Sequence, residues 1–144
     1  MQLINERDVV RLKIPFPNMT SALAYSSHMY ICYEKSDSVQ RLVKCQTYKL
    51  SVIMGINAIK HYVKELPDIK RNPFKNATII DCDKSFAVQV VIPNSLLTTT
   101  RRDICSELHV SILDELLEDG YCEYELDNQD LQTLNYAIET NNPA

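Results

Sequence analysis

The chain contains 144 residues, 45% of them apolar and 24% charged, and its formal net charge is −4. A chain of this length and composition is expected to form a single domain, residues 1–144, that buries a core without disulfides or bound metal. The charged N-terminal segment and the lack of a long apolar run exclude a signal peptide and a membrane span, so we expect a cytoplasmic protein without membrane contact.

Three strands are predicted in the first third of the chain. Residues 9–16 alternate apolar and polar side chains from Val10 to Ile14 and end at prolines, which cannot donate to a β-ladder. Residues 29–33 and 40–48 are two apolar stretches on either side of the turn sequence KSDS, which predicts a β-hairpin. His28 stands directly before the second of these strands, at the end of a polar loop.

A helix and two further strands are predicted next. Large apolar side chains recur at spacings of three and four over residues 51–66, which predicts an inserted amphipathic helix that ends at Pro67. Residues 77–82 and 86–92 predict two strands separated by a tight turn. Asp81 and Asp83 lie around that turn, and we expect them to shape it rather than to bind a cation.

The last third of the chain predicts helices. The threonines at 98–100 are candidate caps for a helix with an apolar stripe at Leu108, Ile112 and Leu116 and a stop at Gly120. A short strand and a last helix from Asp127 or Asn128 to Ile138 follow. These elements predict an α+β fold built on a small, partly open antiparallel barrel. Its core is expected to contain Val10, Leu12, Ile31, Val43, Ile80, Val90 and Leu116.

Charge is distributed unevenly along the chain. All 15 Lys and Arg residues lie between Arg7 and Arg102, whereas eleven acids and no Lys or Arg lie from Asp103 onward. Two interpretations have similar weight. One is ordinary solvation of helices and tail; the other is a basic surface for an anion, with an acidic C-terminal extension, residues 121–144, that screens it or binds elsewhere.

Few groups of residues in the sequence suit catalysis. The three histidines and five cysteines show no ligand spacing, so we expect no metal, no other cofactor, and reduced, buried thiols. His61 and His109 are interpreted as surface or groove-edge residues. What remains is one strand with Arg41, Lys44, Thr47 and Lys49, beside a strand that starts at His28. A base beside a hydroxyl and cations suits metal-free RNA cleavage, in which the base removes the ribose 2′-OH proton and cations stabilise the charge on phosphate.

Several stretches resemble the MazF/PemK toxins, which are small SH3-like barrels that act as ribonucleases. ERDVVRLKIPFP is similar to the first strand of that family, SSHMYICYEKSD to the second and RLVKCQTYK to the third. NATIIDCDKSFAVQVVIPNSLLTTTRRDICSEL is similar to its closing strands and helix. The resemblance covers about residues 5–118 and implies an SH3-like/MazF-like barrel, to which the helix at 51–66 and the segment 121–144 are additions.

The resemblance also implies a function: a toxin-type endoribonuclease of a type II toxin–antitoxin system that cleaves RNA without metal. Thr47 matches the family's catalytic Thr or Ser, and His28 stands where the family has an arginine followed by proline. His28 and Thr47 are therefore the catalytic candidates, and Arg41, Lys44 and Lys49 are the RNA-binding candidates. The implied partners are single-stranded RNA, a protein antitoxin and a second copy in a homodimer. Because the Arg-Pro pair is missing, the alternative is a non-catalytic interaction module on the same fold that binds a protein or nucleic acid.

Overall fold

The computed structural model describes residues 4–17, 19–21, 24, 26–118 and 121–140, without the side chains of residues 139 and 140. Its helices are α1 (Leu50–Ile53), α2 (Ser106–Glu118) and α3 (Asn128–Leu134), and one 3-10 turn covers Asn94–Leu96. Its strands are β1 (Val9–Leu12), β2 (His28–Ser36), β3 (Val39–Thr47), β4 (Tyr62–Glu65), β5 (Thr78–Asp81), β6 (Lys84–Val88), β7 (Val90–Val91), β8 (Cys122–Glu125) and β9 (Glu139–Thr140).

The main sheet is built around β3, which is paired on both edges. β2 pairs with one edge as the predicted hairpin, and β1 pairs with the outer edge of β2. On the other edge, β6 pairs with the first half of β3 and β5 with the second half, while β4 adds to β5 and β8 adds in parallel to β6. The expected α+β class and mainly antiparallel sheet are therefore confirmed.

The sheet differs from the expected barrel because it does not close. Its order is β1-β2-β3-β5-β4, which leaves β1 and β4 at opposite ends. Closure would require the end strands to pair with each other. Instead, β1 is flanked by single bridges from Asp8 to Asp103 and from Val10 to Leu97, so the segment before α2 covers its outer edge. The SH3-like or MazF-like identity of the fold stays a prediction.

Both faces of the sheet are buried, each against its own cluster of apolar side chains. Because side chains alternate along a strand, Tyr30 belongs to the cluster on one face (face 1) and its neighbour Ile31 to the cluster on the other (face 2). The predicted stripe of α2 packs on face 2. All seven residues expected in the core are buried, with exposures of 3% or less: Val10, Leu12, Ile31, Val43, Ile80, Val90 and Leu116.

The predicted helix over residues 51–66 is wrong beyond its first turn. Only Leu50–Ile53 is helical, and residues 62–65 form β4. The side chain of Ile56 is fully exposed, so it does not belong to an apolar stripe. The carboxylate of Asp83 accepts hydrogen bonds from the backbone N–H groups of Lys60 at 2.8 Å and His61 at 2.9 Å. These bonds hold the chain directly before β4, which pairs with β5. Tertiary pairing therefore overrides the helical periodicity.

Asp81 and Asp83 form a bulge and not a reversal of the chain. β5 and β6 both run antiparallel to β3, so they have the same direction. Cys45 pairs with Ile80, and Leu42 pairs with Phe86. An advance of three residues along β3 is therefore matched by six residues from β5 to β6, and the additional residues form the bulge. The backbone N–H of Asp83 donates to Asp81 Oδ1 at 2.8 Å. As expected, the two acids shape the local chain, but they bend one strand rather than connect a hairpin.

The described part of the C-terminal segment contributes side chains to the core. Leu131 and Ile138 are 0% and 3% exposed and pack in the face 1 cluster. The predicted cap of the last helix is confirmed, since the Asp127 side chain accepts the N–H of Asp130. Residues 119–120 and 141–144, which include the expected stop at Gly120, lie outside the described residues.

Helix α2 begins later than the predicted caps allow. Its first residue is Ser106, and Cys105 Sγ accepts the N–H of Leu108 at 3.4 Å. Capping by the threonines at 98–100 is therefore wrong, because those residues lie in an earlier turn. Among the described residues, no helix combines the length and the apolar character needed to cross a membrane.

Candidate functional site

His28 and Thr47 lie at the same end of the sheet but on opposite faces. Met29 of β2 pairs with Cys45 of β3, so His28 lies just beyond this pair at the start of β2, and Thr47 lies beyond it at the end of β3. Side chains alternate along each strand, which directs His28 to face 1 and Thr47 to face 2.

Both residues border one depression of about 380 Å³ at these strand ends. Its lining also includes Lys49, directly after β3, and Arg11 of β1, and it contains no Asp or Glu among the described residues. Three of the five predicted site residues, His28, Thr47 and Lys49, therefore line a common surface.

Arg11 joins this depression to two others. A second depression, of about 290 Å³, is lined by Arg11, Lys75, Ser95 and the threonines at 98–100. A third, of about 400 Å³, is lined by Arg11, Lys13, Ser27, Ser95 and Tyr136. Ser27 borders the first and third depressions, and Ser95 borders the second and third, so the three depressions adjoin one another around Arg11. Together they form the Arg11 groove.

The Arg11 groove is lined by cations and not by carboxylates. Lys13, Lys49 and Lys75 join Arg11, and none of the described residues that line the three depressions is Asp or Glu. Arg11, Lys49 and Lys75 are exposed, and their side chains make no hydrogen bond or ion pair within the described part of the chain. Their charges are therefore available to an anion.

Tyr136 is held at the edge of the groove by its neighbour Asn135. The N–H of Lys13 donates to Asn135 Oδ1 at 2.8 Å, and Asn135 Nδ2 donates to the Lys13 carbonyl at 2.7 Å. This reciprocal pair fixes the C-terminal segment against the chain that follows β1. Tyr136 is 98% exposed, so an aromatic surface lies beside Arg11 and Lys13.

Arg41 lies outside the Arg11 groove in acidic surroundings. Its guanidinium donates to Glu123 at 2.8 Å and to Glu34 at 2.9 Å. The depression that it lines also contains Glu125 and Asp127. A phosphate at this position would be repelled by several carboxylates, so the surroundings of Arg41 do not favour the predicted RNA contact.

Lys44 also lies outside the groove, on face 1, where it pairs with Tyr30. Burial lowers the pKa of its ammonium group, with the charge of Asp81 opposing this shift and that of Lys84 adding to it. The pKa of His28 is lowered from its ordinary value of 6.5, first by burial and second by the charge of Lys44. The neutral form of His28 therefore predominates at pH 7, and one of its ring nitrogens is able to accept a proton.

The other two histidines have structural partners. His61 Nδ1 lies 3.0 Å from Asp83 Oδ1, and His109 Nε2 lies 2.8 Å from the carbonyl oxygen of Tyr33. All five cysteines are free thiols, and, as expected for most of them, four are buried; the exposed one is Cys122. In the part of the chain that the structure describes, no three His, Cys, Asp or Glu side chains form a group able to hold a metal ion.

Sequence reasoning did not identify Arg11, Lys75 or Tyr136 as site residues. The signal for Arg11 was present, because it is the exposed position of β1 between the buried residues Val10 and Leu12. Nothing local to Tyr136 distinguishes it from a tyrosine of the core. Comparison with known proteins gives no match for this chain among protein-family models, curated proteins or solved structures.

Proposed function

We propose that this protein binds single-stranded RNA along the Arg11 groove. The observation that carries the proposal is the charge of the groove, which four cations line while no described lining residue is a carboxylate. Contacts of Lys and Arg with phosphates supply most of the affinity of sequence-independent nucleic-acid binding. Because the whole chain has a net charge of −4, this affinity has to come from local clustering of cations.

One feature of the groove favours a single strand over a duplex, and a second suits RNA rather than DNA. Tyr136 presents an almost fully exposed ring beside two cations, and a base stacked on an aromatic side chain contributes about 1–3 kcal/mol. Bases in a duplex are already stacked and do not reach such a ring. Hydroxyl groups of Ser27, Thr47 and Ser95 also line the groove and suit hydrogen bonds to a ribose 2′-OH.

The proposal is tested by fluorescence anisotropy with a labelled oligoribonucleotide whose 2′-O-methyl groups prevent cleavage. Arg11→Ala is expected to raise the Kd about tenfold, because it removes a charged contact shared by all three depressions. Arg41→Ala is the matched control, since its charge is already paired with Glu34 and Glu123, and it is expected to change the Kd by less than about twofold.

A second variant separates base stacking from general attraction to polyanions. Tyr136→Ala is expected to weaken RNA binding and to leave heparin binding unchanged, because heparin has no bases. If Arg11→Ala and Arg41→Ala behave alike, the groove is not the binding surface. If Tyr136→Ala weakens the binding of RNA and of heparin equally, the proposed preference for a single strand is wrong.

A second function, metal-independent cleavage by a toxin-type endoribonuclease, is supported by the neutral His28 in the groove. In this reaction His28 accepts the 2′-OH proton, and the 2′ oxygen attacks the adjacent phosphorus. The bond to the 5′ oxygen then breaks, and that oxygen takes a proton from water. Arg11 and Lys49 would stabilise the charge on the phosphate, and Thr47 would donate a hydrogen bond to one of its oxygens. The alternative is that the protein is a non-catalytic module, which binds RNA without cleaving it.

A further inference from the structure

We propose that the second depression of the Arg11 groove binds the terminal phosphate monoester of the bound RNA. This inference rests on the proposed function and assigns one end of the RNA to one end of the groove. The depression has a volume of about 290 Å³ and is bordered by Arg11, Lys75 and the hydroxyls of Ser95, Thr99 and Thr100. Its lining contains no Asp or Glu within the described part of the chain.

The turn that carries the threonines is fixed before any ligand arrives. The N–H of Thr98 donates to the Val9 carbonyl at 3.1 Å, and Thr98 Oγ1 donates to the Arg101 carbonyl at 2.6 Å. Just after the turn, Arg102 donates two hydrogen bonds, of 2.9 Å and 2.6 Å, to the buried carboxylate of Asp8. A rigid wall loses little conformational entropy when it binds an ion.

The wall that carries Lys75 is fixed in a similar way. Asn72 is 1% exposed and donates through Nδ2 to Glu65 Oε2 at 2.7 Å, while its Oδ1 accepts the N–H of Phe74 at 3.0 Å. The Lys75 backbone therefore follows a buried anchor. Its side chain is exposed and has no partner within the described residues, so its ammonium group is able to turn toward an anion.

The number of unpaired cations suits a monoester better than a diester. Arg101 is paired with Asp103 and bonded to the Ile69 carbonyl, and Arg102 is paired with Asp8, which leaves Arg11 and Lys75. A terminal phosphate monoester carries a charge of about −1.5 to −2 at pH 7 and three terminal oxygens, whereas an internal phosphodiester carries a single negative charge. A guanidinium, an ammonium and hydroxyl groups supply donors for all three oxygens.

The test uses three versions of one 2′-O-methyl oligonucleotide: with a 5′-phosphate, with a 3′-phosphate and with neither. For the parent protein, one of the phosphorylated forms is expected to bind about tenfold more tightly than the unphosphorylated form. Lys75→Ala should remove this gain, and Lys75→Arg should retain it. Lys49→Ala is the matched control, because it should weaken all three oligonucleotides by the same factor.

The outcomes separate the subsite from the groove. Equal binding of all three oligonucleotides to the parent protein overturns the subsite and leaves RNA binding standing. A gain that persists in Lys75→Ala overturns the assignment to this depression. If none of the three oligonucleotides binds, both the proposed function and the subsite are overturned.

Discussion

The protonation state of His28 follows from two neighbouring features, the apolar interior and Lys44. Both disfavour the imidazolium form, so the pKa of His28 lies below its ordinary value of 6.5. The neutral base therefore persists as the pH falls below 6.5 and is lost only as the pH falls through the lowered pKa. The same shift costs folding stability over that interval, because the unfolded chain takes up the proton first.

Cleavage, if His28 is the base, should depend on this side chain and on the same pH range. We expect His28→Ala to lower the rate of RNA cleavage by about 10²–10⁴-fold, with excess EDTA present, measured with an oligoribonucleotide that carries a fluorophore and quencher. The parent rate should remain high as the pH falls through 6.5 and should decline only at lower pH, as the pH falls through the lowered pKa of His28.

The control for this variant is Ser26→Ala, which changes an exposed neighbour of the loop before β2. His61 and His109 are unsuitable controls, because both take part in hydrogen bonds that hold the fold. A His28→Ala protein that cleaves RNA as fast as the parent would show that the histidine is not the base.

At the scale of single residues, the core was easier to predict than the site. Burial of Ile31 or Val43 follows from alternation within one strand. Whether a cation is free depends on residues far away in sequence: Arg41 is bound by Glu123, 82 positions later, and nothing near Arg41 in the sequence indicates this. Arg11 was missed for the converse reason, because a lone cation in an alternating strand has the appearance of ordinary solvent exposure.

At the scale of elements, the segment 50–65 shows the limits of periodicity. Apolar residues at spacings of three and four are compatible with a helix, yet the chain has a better alternative here. Val63 packs against the face 2 cluster, and the buried carboxylate of Glu65 pairs with Arg71 at 2.8 Å. These contacts involve β5 and the connection after β4, so a local pattern does not encode them.

The C-terminal segment provides a prediction about stability. Leu131→Ala is expected to lower the free energy of unfolding by about 2–5 kcal/mol, because it leaves a cavity in the face 1 cluster. Leu117→Ala, on the 79%-exposed side of α2, should change it by less than about 0.5 kcal/mol. Urea denaturation measures both. Equal effects of the two variants would show that residues 121–140 are not part of the core.

At the scale of the whole molecule, the acidic end and the basic body are not simply opposed. Glu123 is paired with Arg41, and Glu125 and Asp127 line the same depression, away from the Arg11 groove. The same segment contributes Asn135 and Tyr136 to the groove without adding a carboxylate there. In the folded protein, the carboxylates of Glu123, Glu125 and Asp127 therefore lie apart from the cations of the Arg11 groove.

This separation predicts a definite salt dependence of RNA binding. Four groove cations that contact a single strand should give a slope of about −3 for log K against log salt concentration. Arg11→Ala should reduce the magnitude of the slope by about 0.7, and Arg41→Ala should leave it unchanged. The measurement is a series of binding titrations between low and physiological salt. A slope near zero would mean that the groove cations do not supply the affinity.

The class of the fold was predictable, and its closure was not. The hairpin of β2 and β3 and the stripe of α2 are local signals that the structure confirms. Whether a sheet closes depends on its end strands, and here the outer edge of β1 meets Leu97 and Asp103 instead of β4. The residues that these bridges join are separated in the sequence by almost ninety positions or more, so a local pattern does not predict them.

The position of Leu131 and Ile138 under face 1 has a consequence for the newborn chain. On the ribosome, β1, β2 and β3 are complete early, but Leu131 and Ile138, which cover one side of them, are translated much later. During that interval the nascent hairpin exposes an apolar surface of the kind that aggregates or recruits chaperones. Contacts between distant residues also slow the final assembly. We therefore expect the face 1 cluster to be complete only after Ile138 has left the exit tunnel.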